Sequence, residues 1–118
     1  MKVDSTEFGS ITVNGASYPY DIFIRLSGEV LKRKKRFSKK YYNTSHIISR
    51  EEAEFIYEKG CDTLVLGAGQ FDNLELSPEA AEFFEHHNCR VILRPTTDAV
   101  AAYNKAKGKT VGLFHVTC

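Results

Sequence analysis

The chain has 118 residues, a net charge of +1, and a composition that is 42% hydrophobic and 12% aromatic. That many apolar side chains can form a buried core, which argues against a disordered protein, and the length fits a single domain covering residues 1–118. Apolar runs fall well short of the about 20 residues needed to span a membrane, and the first residues lack the apolar segment of a secretory leader. We therefore expect a cytoplasmic protein that does not associate with membranes.

The N-terminal part of the sequence predicts antiparallel β-structure. Asn14-Gly15 separates two short runs and is the pair that a type I′ hairpin turn favours, so we expect a β-hairpin there. A second alternating run, residues 20–26, places Ile22 on one side and Asp21 on the other. This alternation predicts a half-buried antiparallel strand.

A basic run from Lys32 to Lys40 follows and dominates the charge distribution. Residues 1–48 carry nine Lys and Arg against four Asp and Glu, whereas residues 49–118 carry seven against eleven. The run could be a solvent-exposed strand end or loop, a patch that binds nucleic acid, or a set of partners for the chain's own acidic helices. A solvent-exposed strand end or loop is favoured over a nucleic-acid site because few aromatic residues accompany the run.

From residue 49 onwards the pattern changes to alternating helices and apolar strands. Ser49 and Glu52 form a capping box that predicts a helix start, and Gly60 is the expected end of that helix. The remaining predicted elements are a helix from Ser77 with Pro78 in its first position, a helix from Thr97 that ends by Gly108, and buried strands at residues 63–66, 91–93 and 111–116.

This part of the sequence repeats itself. Residues 49–56 align without gaps on residues 77–84, and the same 28-residue offset relates residues 60–65 to residues 88–93. Two copies of one helix–strand unit predict two parallel strands joined by a right-handed crossover. We therefore expect a compact three-layer α/β domain, with a small parallel or mixed sheet, helices on its faces and an N-terminal antiparallel β-hairpin subdomain.

The three cysteines predict neither a disulfide framework nor a zinc site. Cys61, Cys89 and Cys118 are odd in number and show no Cys-x-x-Cys spacing, so reduced thiols are expected. Cys61 and Cys89 occupy equivalent positions of the repeat and are interpreted as small core residues. The sequence predicts no metal and no cofactor.

Polar residues follow the predicted parallel strands where those strands end, which is the usual ligand site of an open α/β sheet. If the last strand is parallel to the others, its polar ending joins the same edge. We call the resulting set of residues the rim: Gly67, Gly69, Gln70, Thr96, His115, Thr117 and Cys118.

Each feature of the rim also has a purely structural interpretation. Gly67 and Gly69 could let backbone amides approach an anion, but a tight turn is favoured because the full nucleotide-binding motifs are absent. Cys118 with His115 suggests a thiolate–imidazole pair, but a buried, inert thiol and a hydrogen-bonded histidine are favoured. Their spacing starts them on opposite faces of a strand, so contact needs a bend or another histidine such as His46.

Three stretches of the sequence carry a family resemblance. They are the ending Gly-Leu-Phe-His-Val-Thr-Cys, the segment from Leu64 to Gln70, and Phe8-Gly9-Ser10-Ile11 together with Tyr18 and Asp21. Together they resemble the Mth-type domain family of small uncharacterised proteins, over nearly the whole chain. A distant mitochondrial branch of that family assists the assembly of respiratory complex I.

The resemblance implies a fold rather than a reaction. It implies a three-layer α/β domain with a hairpin subdomain, no established catalytic activity and no cofactor. It also implies a pocket at Gly67, Gly69, His115, Thr117 and Cys118. The animal branch has Arg where this chain has Ala68, and the first residues do not resemble a mitochondrial presequence, so we expect neither a basic side chain there nor the respiratory role to transfer.

The sequence favours a small binding or assembly protein that is not an enzyme. The rim would hold a small anionic ligand or a segment of a partner protein. Two alternatives remain open. One is a thiol-dependent enzyme with Cys118 as the nucleophile and a histidine as the base, and the other is nucleic-acid binding through Lys32 to Lys40.

Overall fold

The computed structural model describes residues 2–118, which form four α-helices and ten β-strands in three sheets. In chain order these are β1 (Val3–Glu7), β2 (Ser10–Val13), β3 (Ala16–Tyr18), β4 (Ile22–Ile24), β5 (Val30–Lys32), α1 (Arg36–Tyr42), β6 (Ile47–Ile48), α2 (Arg50–Ile56), β7 (Thr63–Ala68), β8 (Glu75–Leu76), α3 (Pro78–His86), β9 (Arg90–Arg94), α4 (Thr96–Lys105) and β10 (Thr110–His115).

A mixed five-stranded sheet with the order β5-β4-β10-β7-β9 forms the centre of the domain. Strand β10 pairs with β7 in parallel, and β7 pairs with β9 in parallel, whereas β4 pairs antiparallel with both β10 and β5. The expected direction of the last strand is therefore confirmed. The parallel strands bring the ends of β7, β9 and β10 to one edge of the sheet.

Two clusters of buried side chains cover the two faces of this sheet and give the domain its three layers. One cluster joins β7 and β10 to α2 and α3, through Leu64, Leu66, Leu113, Ile56 and Phe84. The other joins alternate residues of the same strands to α4 and to the N-terminal strands, through Val65, Phe114, Ala99, Ile11 and Val13. Because successive side chains of a strand point to opposite faces, each buried strand contributes to both clusters.

The N-terminal strands form an antiparallel sheet of three strands rather than the two of the predicted hairpin. The turn between β2 and β3 has positive φ angles at Asn14 (48°) and Gly15 (83°), as a type I′ turn requires. Strand β1 adds to the outer side of β2. The hairpin prediction is confirmed and extended by one strand.

The helix starts follow the predicted capping residues. The Ser49 side chain accepts a hydrogen bond from the Glu52 amide, and the Ser77 side chain accepts one from the Ala80 amide. Helix α2 ends at Ile56, one turn before Gly60, because the chain becomes extended at Tyr57. No helix within residues 2–118 has both the length and the apolar character to cross a membrane.

Two strand predictions are wrong about burial. Strand β4 is buried on both faces instead of half-buried, because it lies between β5 and β10 with a layer on each side. Strand β9 was expected to be buried, but it is the edge strand of the sheet and its Leu93 is 36% exposed. Position in the strand order decides these cases, and strand order is a long-range property.

The basic run is only partly a solvent-exposed segment. Residues Arg36–Tyr42 form the helix α1, where a strand end or loop was expected. Lys34 and Lys39 are exposed, but Arg33 is 4% exposed and lies in the interior. The expectation of a solvent-exposed strand end or loop is therefore wrong for Arg33 and for α1, and the alternative that these charges pair with the chain's own acidic helices holds for Arg33 and Lys40, which pair with α2.

Candidate functional site

The structure brings the seven rim residues to the same end of the central sheet. Ala68, the last residue of β7, is directly opposite His115, the last residue of β10. Thr96 begins α4 immediately after β9, and Gln70 begins the loop after β7. The rim is therefore a spatial unit, built from segments that are far apart in the sequence.

Thr96 ties these segments together. Its side chain is fully buried, and its hydroxyl accepts a hydrogen bond from the Gly69 amide at 2.8 Å and donates one to the His115 carbonyl at 2.5 Å. The Thr96 amide donates in turn to the Gly69 carbonyl at 3.1 Å. With both partners in place, the hydroxyl has a structural role at the base of the rim.

The two glycines are required by close packing. A Cβ atom on Gly67 would lie 2.9 Å from the Thr96 hydroxyl oxygen and 3.0 Å from the Phe114 ring. Gly69 has a φ of +95°, and a Cβ there would lie 2.3 Å from the backbone carbon of Cys118. The interpretation as a tight turn holds for Gly69, whereas Gly67 lies inside β7, where a side chain would collide with Thr96 and Phe114.

The backbone amides after β7 donate to the chain's own last residues. The Gln70 amide donates to the Thr117 carbonyl at 2.7 Å, and the amides of Phe71 and Asn73 each donate to the Cys118 carbonyl at 3.2 Å. An anion held by this loop would compete with those carbonyl oxygens for the same donors. These contacts also anchor the end of the chain against the loop.

His115 forms a buried pair with Asp21, the residue before β4. The distance from His115 Nδ1 to Asp21 Oδ2 is 2.7 Å, and each side chain is 1% exposed. The other carboxylate oxygen accepts from the Val116 amide at 2.9 Å. Because an ionised carboxylate only accepts, His115 Nδ1 carries a proton, and the other ring nitrogen, Nε2, lies 3.4 Å from the Thr117 hydroxyl.

The surroundings of Asp21 keep its carboxylate charged. Burial acts to raise its pKa, but the hydrogen bond and charge of His115, the Val116 amide and the charge of Lys35 together lower the pKa of Asp21 to about 2. The imidazole is thereby held in one orientation by an ionised acid. Such an arrangement can position a base, and it also fixes β4 against β10.

Arg33 connects this pair to a second buried acid, Glu52. Its guanidinium donates to Asp21 at 3.0 Å, to both Glu52 oxygens at 2.7 and 3.0 Å, and to the Ser45 carbonyl at 2.8 Å. Burial acts to lower the pKa of Arg33, but Glu52 and Asp21 outweigh it and raise that pKa. Ser38 completes the network by donating to Glu52 at 2.5 Å. We call these residues the Arg33 network: Asp21, Arg33, Ser38, Glu52 and His115.

Cys118 lies beside this network but is not joined to it through its thiol. The residue is partly exposed, so the expectation that Cys118 is buried is wrong. Within residues 2–118, no hydrogen bond links the Cys118 thiol to a histidine. The His115 ring nitrogens form hydrogen bonds with Asp21 and Thr117. The His46 and His115 rings pack edge to face, with their centroids 5.3 Å apart.

Two exposed phenylalanines stand on the surface of the rim. Phe71 follows Gln70 and is 68% exposed, and Phe8 at the β1–β2 turn is 59% exposed. Their ring centroids are 6.0 Å apart. The next residue after Phe8, Gly9, donates from its amide to the Val116 carbonyl at 2.7 Å, which holds the turn over the end of β10. We call Phe8 and Phe71 the aromatic pair.

A family model described as a protein of unknown function, DUF498/DUF598, matches residues 3–114, almost the whole chain. The chain belongs to the DUF498/DUF598 family. The conserved hypothetical protein PH1505 from Pyrococcus horikoshii OT3 is 33% identical, with all of both chains covered and a TM-score of 0.93. The protein MT938 is 30% identical, with 99% of this chain and 98% of that chain covered and a TM-score of 0.83.

The DUF498/DUF598 fold extends to more distant structures. A protein from Bordetella parapertussis is 20% identical over 98% of this chain and 94% of that chain, with a TM-score of 0.75. That likeness shows the fold alone. The family description assigns no activity, so the chemistry of this member has to be argued from its own residues.

Sequence reasoning missed two parts of the site in this DUF498/DUF598 domain. Arg33 was predicted to belong to an exposed basic run. The available signal was Glu52, an acid on the same helix face as the apolar Ile56, because a buried acid needs a buried basic partner. The aromatic pair was missed because nothing in the local pattern places residue 8 beside residue 71. Their proximity depends on the Gly9–Val116 hydrogen bond, a contact across almost the full chain.

Proposed function

We propose that this DUF498/DUF598 protein is a non-enzymatic binding or assembly protein whose rim docks a segment of a partner protein. The observation that carries the proposal is the aromatic pair, two large apolar side chains that are more than half exposed at the edge of the sheet. Exposed aromatic residues on a rigid base are typical centres of protein interfaces.

The rim supports a partner segment better than a small anion. The amides that would hold an anion already donate to Thr117 and Cys118, and Thr96 and His115 are buried with partners of their own. The accessible groups that remain are the aromatic pair, Gln70, Thr117 and the Cys118 thiol. These groups offer apolar contact with a polar margin, which suits an apolar or aromatic side chain of a partner.

A photo-crosslinking amino acid placed at position 71 tests this proposal in cells. Because residue 71 is at the proposed interface, we expect it to capture one discrete protein. The matched control is the same amino acid at position 86, where the His86 side chain is 72% exposed at the end of α3, just before β9 starts at the opposite end of the sheet. Equal capture at both positions, or none at position 71, would argue against docking at the rim.

The Mth-type resemblance and a cytoplasmic location belong to the same proposal. An assembly role would require the captured protein to be a subunit of a larger complex, and a cytoplasmic role would require the chain in the soluble fraction of lysed cells. Recovery of the chain with a membrane or an organelle fraction would contradict the cytoplasmic location.

A thiol-dependent enzyme is the second candidate, and the Asp21–His115 pair favours it. An acid that fixes the tautomer of an imidazole is the usual support for a base that activates a nucleophile. Cys118 would have to turn towards His115 Nε2, because no hydrogen bond joins them in the described chain. Alkylation of Cys118 as a function of pH tests this candidate, and a rate that follows ordinary thiol ionisation removes it.

A further inference from the structure

Cys61 and Cys89 lie in contact at the end of the sheet opposite the rim. Their Sγ atoms are 3.6 Å apart and both side chains are buried. Cys61 lies two residues before β7 and Cys89 lies one residue before β9, where Thr63 and Arg90 are directly opposite. The internal repeat thus supplies one thiol to each of two neighbouring parallel strands.

We propose that Cys61 and Cys89 are a redox-active thiol pair that oxidises reversibly to a disulfide joining the starts of β7 and β9. Because Thr63 is opposite Arg90, Cys61 and Cys89 are offset by one residue along the two neighbouring chain segments, and their Sγ atoms are within contact distance of each other. Bond formation requires the sulfurs to approach by about 1.5 Å from their contact distance of 3.6 Å. Rotation of the two side chains can supply such a movement.

The surroundings shift the pKa values of the two thiols in opposite directions, as expected for an attacking and a resolving thiol. The hydrogen bond between the two thiols lowers the pKa of Cys61 below its usual value, against the opposing effect of burial. The hydrogen bond to Cys61 and burial both raise the pKa of Cys89. Cys61 is therefore the nucleophile, because the thiolate is the reactive form.

The pair lies just beneath the surface. Gly60 and Asp62, on either side of Cys61, are exposed, and so are Asn88 and Arg90 on either side of Cys89. A small peroxide has a short path to the sulfurs, whereas a protein thiol or disulfide does not.

Hydrogen peroxide is the oxidant that this geometry suits. The Cys61 thiolate attacks one peroxide oxygen, so that an S–O bond forms, the O–O bond breaks, and the departing hydroxide takes up a proton and becomes water. Cys89 then loses its proton and attacks the Cys61 sulfur. The S–S bond forms, the S–O bond breaks, and the leaving hydroxide takes the proton to form a second water. Two thiols are oxidised and one peroxide is reduced to two waters.

The disulfide would fasten an edge strand to the sheet. Strand β9 has a single strand neighbour, β7, so a covalent link at its start restricts local opening of that edge. It also closes a loop of 28 residues in the unfolded chain, which raises the melting temperature by about 10 °C on the usual dependence on loop length.

The test is treatment of the folded, full-length protein with hydrogen peroxide, followed by intact mass and peptide mapping without reduction. We expect the loss of two hydrogen atoms, about 2 Da, with Cys61 linked to Cys89, Cys118 still alkylatable, and full reversal by dithiothreitol. A peroxide-treated protein that gains oxygen without losing those hydrogens, or whose disulfide maps to Cys118, would overturn the proposal.

Matched variants assign the roles of the three cysteines. Cys118→Ser should still form the disulfide, because Cys118 is at the other end of the sheet. Cys89→Ser should stop at a sulfenic acid on Cys61, which dimedone traps, and dimedone labelling at Cys118 instead would contradict the assigned order. The mapping of the wild-type protein decides the proposal even where a variant fails to fold.

Discussion

The two ends of the central sheet differ in how their polar and reactive groups are engaged. At the rim, the chemically suggestive residues Thr96 and His115 have their hydrogen-bonding groups committed to the chain itself. At the opposite end, Cys61 and Cys89 look like ordinary small core residues in the sequence, yet their sulfurs are in contact. The comparison teaches that residue type at a strand end does not identify reactivity, whereas the partner of each group does.

Removal of the Arg33 guanidinium should give the largest loss of stability at the rim end of the sheet. Arg33→Ala leaves the carboxylates of Asp21 and Glu52 buried without their common partner, which costs about 3–5 kcal/mol of unfolding free energy. Urea unfolding measures the loss. Lys34→Ala is the matched control, because Lys34 is exposed and its removal should change stability by less than about 0.5 kcal/mol. Equal small losses would show that the Arg33 network does not hold the rim together.

A second test separates packing from backbone conformation at the rim. Gly69 and Gly9 have nearly the same φ, +95° and +90°, but a Cβ meets Cys118 at Gly69 and meets nothing within 4 Å at Gly9. Gly9→Ala should therefore cost about 1–2 kcal/mol, which is the conformational penalty alone. Gly69→Ala should cost about 1–3 kcal/mol more because of the clash. Thermal and urea unfolding of both variants check this, and equal costs would contradict the packing role of Gly69.

Acid pH gives a third test, through Asp21. The pKa of Asp21 is lowered from 3.8 to about 2 in the folded protein, so the unfolded chain binds the proton more readily. The resulting stability is fully present above pH 5 and is lost as the pH falls from about 4 to 2, by roughly 2 kcal/mol in total. Unfolding free energies between pH 5 and pH 2 should show this loss. Asp21→Asn should remove that part of the slope, and an unchanged slope would contradict the assignment.

The sequence predicted what depends on local pattern and on the repeat. Strands β7 and β10 were recognisable from their apolar runs, the starts of α2 and α3 from Ser49 and Ser77, and the parallel pairing of β7 with β9 from the two copies of the helix–strand unit. These features are fixed by residues close in sequence, where propensity and capping act.

Other features depend on contacts that no local pattern contains. Helix α1 is short, has no side-chain cap at its start and no acidic residue in its first turn, so its sequence resembled a charged loop. Glu52 completed the expected capping pattern, but its carboxylate binds Arg33 and Ser38, and the Ser38 hydroxyl accepts the hydrogen bond of the Ser49 amide instead. The Glu52 carboxylate therefore belongs to the buried Arg33 network and does not cap the helix in the way that the local motif predicted.

The site was predictable in the same uneven way. The seven rim residues were gathered correctly at one edge, because strand direction alone determines that placement. Their internal hydrogen bonds join segments that are far apart in the sequence, and the aromatic pair above them depends on the turn at Gly9, which is bonded to Val116. The Cys61–Cys89 contact had a usable signal, since equivalent positions of a repeat become neighbours when the repeated strands pair.

The photo-crosslinking yield from position 71 in a Phe8→Ser variant tests the central claim, that the aromatic pair docks a partner protein, most directly. Phe8 is 59% exposed, so its replacement should change the unfolding free energy by less than about 0.5 kcal/mol and leave the fold intact. The account predicts that capture of the partner falls at least tenfold relative to the same crosslinker in the wild-type background. An undiminished yield in a stably folded variant would contradict docking at the aromatic pair.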